Sequence, residues 1–241
     1  MPPVALSLII PVHNERDNLK QLHQELIAAL KPYGREMEMI FVDDGSSDGS
    51  LRQLECLREK DPRVRVISLG RHLGQSAALF AGIAASRAEV LASLDADLQY
   101  DANDLMRVLK ALDDADMVCA WRENRSDTPA KHISSWFANA LRRKILKDDI
   151  RDAGCTLRAW KKNALDGIVP FNGFHRFLAV MVQRNGKKIQ QIPVGHRRRI
   201  SGKSHYGIWR RGLAGLVDTL GMLWLFKRSL NSPRRRSSPF P

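Results

Sequence analysis

Acid is what this chain is short of. Its 26 aspartates and glutamates face 39 lysines and arginines, a formal net charge of +13, and the pI lies near 10.1. Such a balance calls for a negatively charged partner: nucleic acid, an anionic membrane surface or a phosphorylated substrate. Cysteine is scarce too. Cys56, Cys119 and Cys155 stand far apart with no C-x-x-C, which argues against a disulfide framework or a thiolate zinc site and fits a reducing, cytoplasmic setting. No stretch reaches the roughly 18 uncharged apolar residues that a membrane-spanning helix needs. The opening MPPVALSLIIPVHNE has neither a basic n-region nor a small-residue cleavage site, so it reads as a first strand rather than a signal peptide. Two phosphate cradles are missing as well: no G-x-G-x-x-G follows that strand, and there is no Walker lysine motif. No internal repeat is found.

What is present is an alternation of strands and helices. With 241 residues and 44% hydrophobic content, the chain can bury one proper core. Leu6 to Val12 reads as a buried strand, and Asn18 to Leu30 as a helix with Leu19, Leu22, Leu26 and Leu30 on one stripe. Met39 to Val42 repeats the plan, with a turn over Gly45 to Ser50 and the helix LRQLECLREK. Strand VRVISL from Val64, an alanine-rich helix from Gly74 to Ser86, a strand in VLASLDADLQY and another at Asp116 to Ala120 follow. This order predicts an α/β fold with a mostly parallel sheet flanked by helices.

Polar groups collect at the strand ends: His13-Asn14-Glu15, Asp43-Asp44 and Asp95-Asp97. Open α/β sheets bind ligands at that edge. Asp95 and Asp97 are two residues apart, so an extended chain puts both carboxylates on one face, where they can hold a hard cation such as Mg2+ or Mn2+. Asp101 and Asp104 have the position of helix caps before LMRVLKALDD.

From about Pro129 the character changes. Lys131 to Lys147 sets Trp136, Phe137, Ala140, Leu141, Ile145 and Leu146 against Arg142, Arg143, Lys144 and Lys147, the pattern of an interfacial helix or of a surface helix docked on the core. Trp209 to Arg228 is a second such segment, and Asp218 in its middle argues against spanning. The tail over residues 229–241 is basic and proline-rich, a composition that favours disorder.

Five motifs in one order, PVHNE at Pro11, VDDGSSDGS at Val42, GQSAAL at Gly74, DADLQ at Asp95 and DAGCTLRAW at Asp152, resemble the inverting family 2 glycosyltransferases with a GT-A (Rossmann-like) fold. More narrowly, they resemble the polyprenyl-phosphate glycosyltransferases, the dolichyl-phosphate mannose synthase type and its bacterial undecaprenyl-phosphate relatives. The resemblance runs from about Leu6 to Leu225. It implies one GT-A domain over residues 1–228, with a nucleotide-sugar half (1–128) and an acceptor and membrane-surface half (129–228).

The resemblance also implies roles. Glu15 and Asp44 would hold the ribose and base of a nucleotide-sugar, such as GDP-mannose or a UDP-sugar, with Pro11 and Asp43 shaping the pocket and Gln75 and Ala96 lining it. Asp95 and Asp97, helped by Gln99, would carry Mg2+ or Mn2+ on the diphosphate. Arg122, Lys131, Ser135 and Arg158 would grip the phosphate of a polyprenyl phosphate, with Arg122 counted among the catalytic groups. Arg199 and Lys203, in a basic loop with Ser201, Gly202, Ser204 and His205, would close over the pyrophosphate. A phosphate monoester is already ionised near neutral pH, so no general base is required, and the histidines need no catalytic role. The enzyme would work from the cytoplasmic face of the inner membrane as a peripheral protein, without nucleic acid, alone or with a second copy or a membrane subunit.

Two other readings compete. A family 2 transferase acting on a soluble or polysaccharide hydroxyl needs a carboxylate base, for which Asp152 is the nearby candidate. A nucleic-acid-binding module would explain the charge, but no helix-turn-helix, zinc or RNA-recognition pattern is present.

Overall fold

The computed structural model describes residues 3–123, 139–197 and 208–229, with side chains from residue 215 onward in the last segment. The sheet is built outward from β1 (Leu6–Val12), every residue of which is buried except Pro11. β2 (Met37–Asp43) and β4 (Val90–Ser93) pair with β1 on either side, both parallel, and β3 (Val64–Ser68) pairs parallel with β2. The seven strands lie in the order β3-β2-β1-β4-β6-β5-β7. β5 (Met117–Arg122) and β7 (Ile189–Val194) are parallel to each other, and β6 (Arg158–Lys161) runs antiparallel to both its neighbours. The expected mostly parallel sheet is present, and β6 is an element the sequence analysis did not foresee. Four residues, RAWK, with two apolar residues between two basic ones, give too short a run to detect.

Strand alternation divides the core. Leu8 and Ile10 face one side with Leu19, Leu26, Leu54, Leu105 and Val108, from α1 (Arg16–Leu30), α2 (Ser50–Lys60) and α4 (Ala102–Ala111). Ile9 faces the other with Leu79, Ile83, Trp160, Phe174, Leu178 and Met222. These include residues of α3 (Gln75–Ala85), α5 (Phe174–Arg184) and α6 (Ile208–Arg228). A run buried on both faces is what a parallel sheet covered by helices requires.

Local signals place the helix starts only in part. Asp101 caps α4 as expected, its side chain accepting the N–H of Asn103 at 2.9 Å. α1 has no such cap of its own. The N–H groups of Glu15 and Arg16 donate instead to Ser50 Oγ at 2.9 Å and Asp48 Oδ2 at 3.0 Å, across the mouth of the sheet. The serines and aspartate of the GSSDGS run therefore tie the first two strand-to-helix turns together.

The segment Lys131 to Lys147 is described only from residue 139, where residues 139–146 are helical. Asp218 points inward: it pairs with Arg176 at 3.1 Å and fixes α6 to α5. No helix among the described residues is long and apolar enough to cross a membrane.

Candidate active site

The C-terminal ends of β1, β2 and β4 open on one edge, and the polar residues expected there are brought together. After β1 the chain turns through Asn14, which takes φ +57°, a left-handed conformation that asparagine tolerates better than most residues. Asn14 N–H donates to Ser46 Oγ at 3.0 Å and its Oδ1 accepts Ser47 N–H at 2.8 Å. Glu15 accepts a hydrogen bond from the buried Asn18 amide.

Asp43 and Asp44 are both buried at the end of β2. The Asp44 carboxylate accepts the N–H of Leu73 at 2.6 Å and of Gly74 at 2.9 Å, and lies 2.8 Å from His72 Nδ1. It thereby fixes the loop that starts α3. His13 Nδ1 is 2.8 Å from the Asp44 carbonyl oxygen, and the His13 and His72 rings lie against each other with centroids 4.1 Å apart. This imidazole pair was not singled out from sequence, because its members are distant in the chain.

Asp95 and Asp97 depart from the expected geometry. β4 ends at Ser93, so the two aspartates sit in the turn after the strand, not on extended backbone, and Leu98 takes φ +59°. Their placement is set by that turn rather than by strand alternation. Gln75 Nε2 donates to Asp95 Oδ1 at 2.8 Å, and Gln99 N–H to Asp97 Oδ1 at 3.3 Å. Gln99 is held to the far side of the sheet by Arg197, whose N–H donates to its carbonyl at 2.8 Å. Ala96 is buried between the two acids.

Among the described residues the grouping of three metal-ligating side chains is His13, Asp44 and His72, with ligand atoms within 4.8 Å of one another. The Asp44 oxygens there are committed to N–H groups. Asp95 and Asp97 offer two carboxylates, which suits Mg2+ or Mn2+. Such ions keep several ligand positions for water and substrate phosphate, so these residues fit the cation that the sequence implies.

Pro11, Gln75 and Asp95 line a small pocket together with Thr156, Arg158 and His175. Arg158 is buried in β6. Its Nη1 donates to the His175 carbonyl and its Nη2 to the Ala153 carbonyl, both at 2.7 Å. Arg122, at the end of β5, makes a two-pronged ion pair with Asp152, at 2.7 and 3.0 Å. Burial opposes the charge on Arg122, but the Asp152 hydrogen bonds outweigh it and raise its pKa. Burial pushes the Cys155 thiol up to about 12 and Cys119 to about 11, so both are inert. Lys131, Ser135, Arg199 and Lys203 lie outside the described residues.

Comparison with known proteins gives a consistent answer. Residues 7–169 match the family model described as Glycosyl transferase family 2. The chain is 31% identical over 230 residues to dodecaprenyl-phosphate galacturonate synthase of Rhizobium johnstonii, covering 93% of this chain and 68% of that protein. It is 32% identical over 212 residues to undecaprenyl-phosphate 4-deoxy-4-formamido-L-arabinose transferase of Klebsiella pneumoniae, covering 87% and 65%. The chain thus spans about two thirds of the length of these curated relatives.

Among solved structures, glucosyl-3-phosphoglycerate synthase from Mycobacterium tuberculosis, in complex with Mn2+, UDP and glucosyl-3-phosphoglycerate, superposes with a TM-score of 0.67 at 18% identity, over 90% of this chain and 80% of that one. A mannosyltransferase from Pyrobaculum calidifontis, in complex with GDP-Man and Mn2+, gives 0.67 at 20%, over 95% and 65%. At these identities the likeness shows the GT-A fold.

Proposed function

Because this chain belongs to glycosyl transferase family 2, we propose that it moves a sugar from a nucleoside diphosphate-sugar to a polyprenyl phosphate. The observation that carries the reading is the pocket at the strand ends whose lining includes both Asp95 and the buried Arg158. The carboxylate suits the cation of a diphosphate, and the guanidinium suits a phosphate. The names of the relatives, two polyprenyl-phosphate sugar transferases, agree with it.

On this reading the nucleoside rests against Pro11, Glu15, Asp43 and the His13–His72 pair, with Asp44 holding the loop that completes the wall. Asp95 and Asp97, backed by Gln75 and Gln99, hold Mg2+ or Mn2+, which when bound offsets the charge that gathers on the departing diphosphate. Arg122 and Arg158, with Lys131 and Ser135, orient the acceptor phosphate, and Arg199 and Lys203 close over the donor. The phosphate oxygen then attacks the anomeric carbon in line, with inversion. The two substrates' orientation supplies the rate without proton removal. The bidentate Arg122–Asp152 pair supports this choice of acceptor, since a carboxylate tied to a guanidinium makes a poor general base for a hydroxyl. Acceptors of this kind reside in membranes, and we place the enzyme at the cytoplasmic membrane surface.

The test is transfer of radiolabelled sugar from a panel of GDP- and UDP-sugars into butanol-extractable lipid, with undecaprenyl or dolichyl phosphate and Mg2+. Label should depend on the lipid phosphate and the metal and vanish in Asp97→Ala. Nucleotide-sugar binding without any lipid product would refute the proposed acceptor.

A further inference from the structure

The pocket that Asp95 lines contains a side chain to which the transfer chemistry has so far given no part. His175 stands in the first turn of α5 and lines the same pocket as Asp95 and Gln75. Its Nδ1 is 2.7 Å from Ser76 Oγ, and Ser76 Oγ accepts the N–H of Gly173 at 2.8 Å. The buried Ser76 hydroxyl has no other acceptor for its hydrogen among the described residues, so it donates to the imidazole. Nδ1 is then the acceptor, and the proton of the neutral ring sits on Nε2. Burial, reinforced by the cations of Arg176 and Arg158, lowers the His175 pKa to about 3 and keeps the ring neutral.

Two more polar atoms of residues lining this pocket, Thr156 Oγ1 and Arg158 Nε, have no hydrogen-bond partner among the described residues. Arg158 is 3% exposed. It spends its terminal nitrogens on carbonyl oxygens and forms no ion pair among the described residues. A buried cation with no ion pair of its own is costly; the Asp95 carboxylate shares the pocket, but on the proposed reading it is given over to the metal ion. An anion arriving there would offset that cost.

We propose that His175, Thr156 and Arg158 form an oxyanion subsite in the pocket that Asp95 also lines, in which His175 Nε2–H donates to a phosphate oxygen of a substrate. Arg158 supplies the field from behind, and His175 supplies the directional contact. The inference rests on the transfer reading for the two phosphates on offer, the acceptor's monophosphate and the donor's diphosphate.

Two substitutions separate binding from structure. His175→Asn keeps a polar group where Nδ1 meets Ser76 but ends short of Nε2. His175→Gln carries an amide N–H to the Nε2 position and gives up the Ser76 bond. Calorimetric titration of the wild-type chain and both variants, with UDP or GDP and separately with farnesyl phosphate, in the presence of Mg2+, reads the effect.

The expected result is that His175→Asn melts like wild type yet binds one of these ligands about tenfold or more weaker, as a lost hydrogen bond to a charged oxygen implies. His175→Gln should stay within a few-fold of wild type. Loss confined to farnesyl phosphate assigns the subsite to the acceptor; loss confined to the nucleotide assigns it to the donor. Three results overturn the proposal: wild-type binding of both ligands by His175→Asn, loss in His175→Gln alone, or binding of neither ligand by the wild-type chain. If the binding pattern holds while no labelled lipid forms with any donor, the transfer reading falls and the subsite stands.

Discussion

Asp152 illustrates how a single side chain can be assigned opposite roles by its partners. As a lone acid near the site it would be a base for a hydroxyl acceptor, yet both its oxygens are taken by Arg122, and the two side chains are 8% and 12% exposed. Removing it strands a buried guanidinium. Asp152→Ala should therefore lower the free energy of unfolding by about 3 kcal/mol or more, read by denaturant titration. Asp152→Asn, which keeps hydrogen-bonding capacity, should retain measurable lipid-linked transfer; complete loss of transfer in a folded Asn variant would restore the general-base reading.

Acid sensitivity is also set by individual residues. Burial, with the nearby Arg176 and Arg158, lowers the His175 pKa to about 3 from the ordinary imidazole 6.5, so the unfolded chain takes up the proton first and stability falls as pH drops from about 6.5 toward 3. Asp61 acts lower. Burial alone would raise its pKa, but hydrogen bonds from Arg63 and His23 outweigh that and bring it to about 2 from 3.8. Its contribution is present above 3.8 and lost as pH falls toward 2. Melting temperatures measured from pH 7 to pH 4 should decline, and His175→Gln should flatten that upper portion while leaving the drop below pH 4 in place. An unchanged slope in the variant would remove His175 as its source.

At the scale of elements, what sequence reveals depends on how local the cause is. The strands from Leu6 to Val12 and from Val64, the leucine stripe of α1 and the Asp101 cap were legible, because apolar runs and caps act within a few residues. The role of Asp44 was not, because the N–H groups it holds, at Leu73 and Gly74, lie in a loop after a different strand. Nor was the capping of α1 by Asp48 and Ser50, which crosses from one turn to the next.

Gly45 shows the same loop-to-loop dependence. It has φ +65°, and a Cβ built there would lie 2.3 Å from the Arg71 carbonyl carbon and 2.4 Å from the His72 nitrogen. Backbone cannot yield as a flexible side chain does. Gly45→Ala should push the 71–74 loop away from Asp44, costing on the order of 1–3 kcal/mol of stability and weakening nucleotide binding together with it. Thermal melts and calorimetry with UDP and GDP would show both. A stable variant with intact nucleotide affinity would mean that this loop does not form the nucleoside wall.

For the whole molecule, the net charge of +13 and the placement of α6 combine. Asp218 and Met222 turn one side of that helix to the protein, while Val217, Leu220 and Trp224 are exposed at 66%, 51% and 63%. Spaced three and four residues apart, these three lie on one helical stripe, and Lys227 and Arg228 follow in the last turn. An apolar face ending in cations is suited to the boundary between headgroups and acyl chains, and a protein that draws its acceptor from a membrane needs such a contact. The chain should sediment with anionic vesicles more than with zwitterionic ones. Binding should weaken as salt rises above roughly 0.1 M, since screening removes the electrostatic share. The paired substitution Val217→Glu and Trp224→Glu should lower vesicle binding by at least about tenfold, because it removes apolar burial and adds charge to the inserted face. Transfer to farnesyl phosphate in solution should be little changed by it, while transfer to vesicle-embedded undecaprenyl phosphate falls. If vesicle binding survives this pair undiminished, α6 is not the contact.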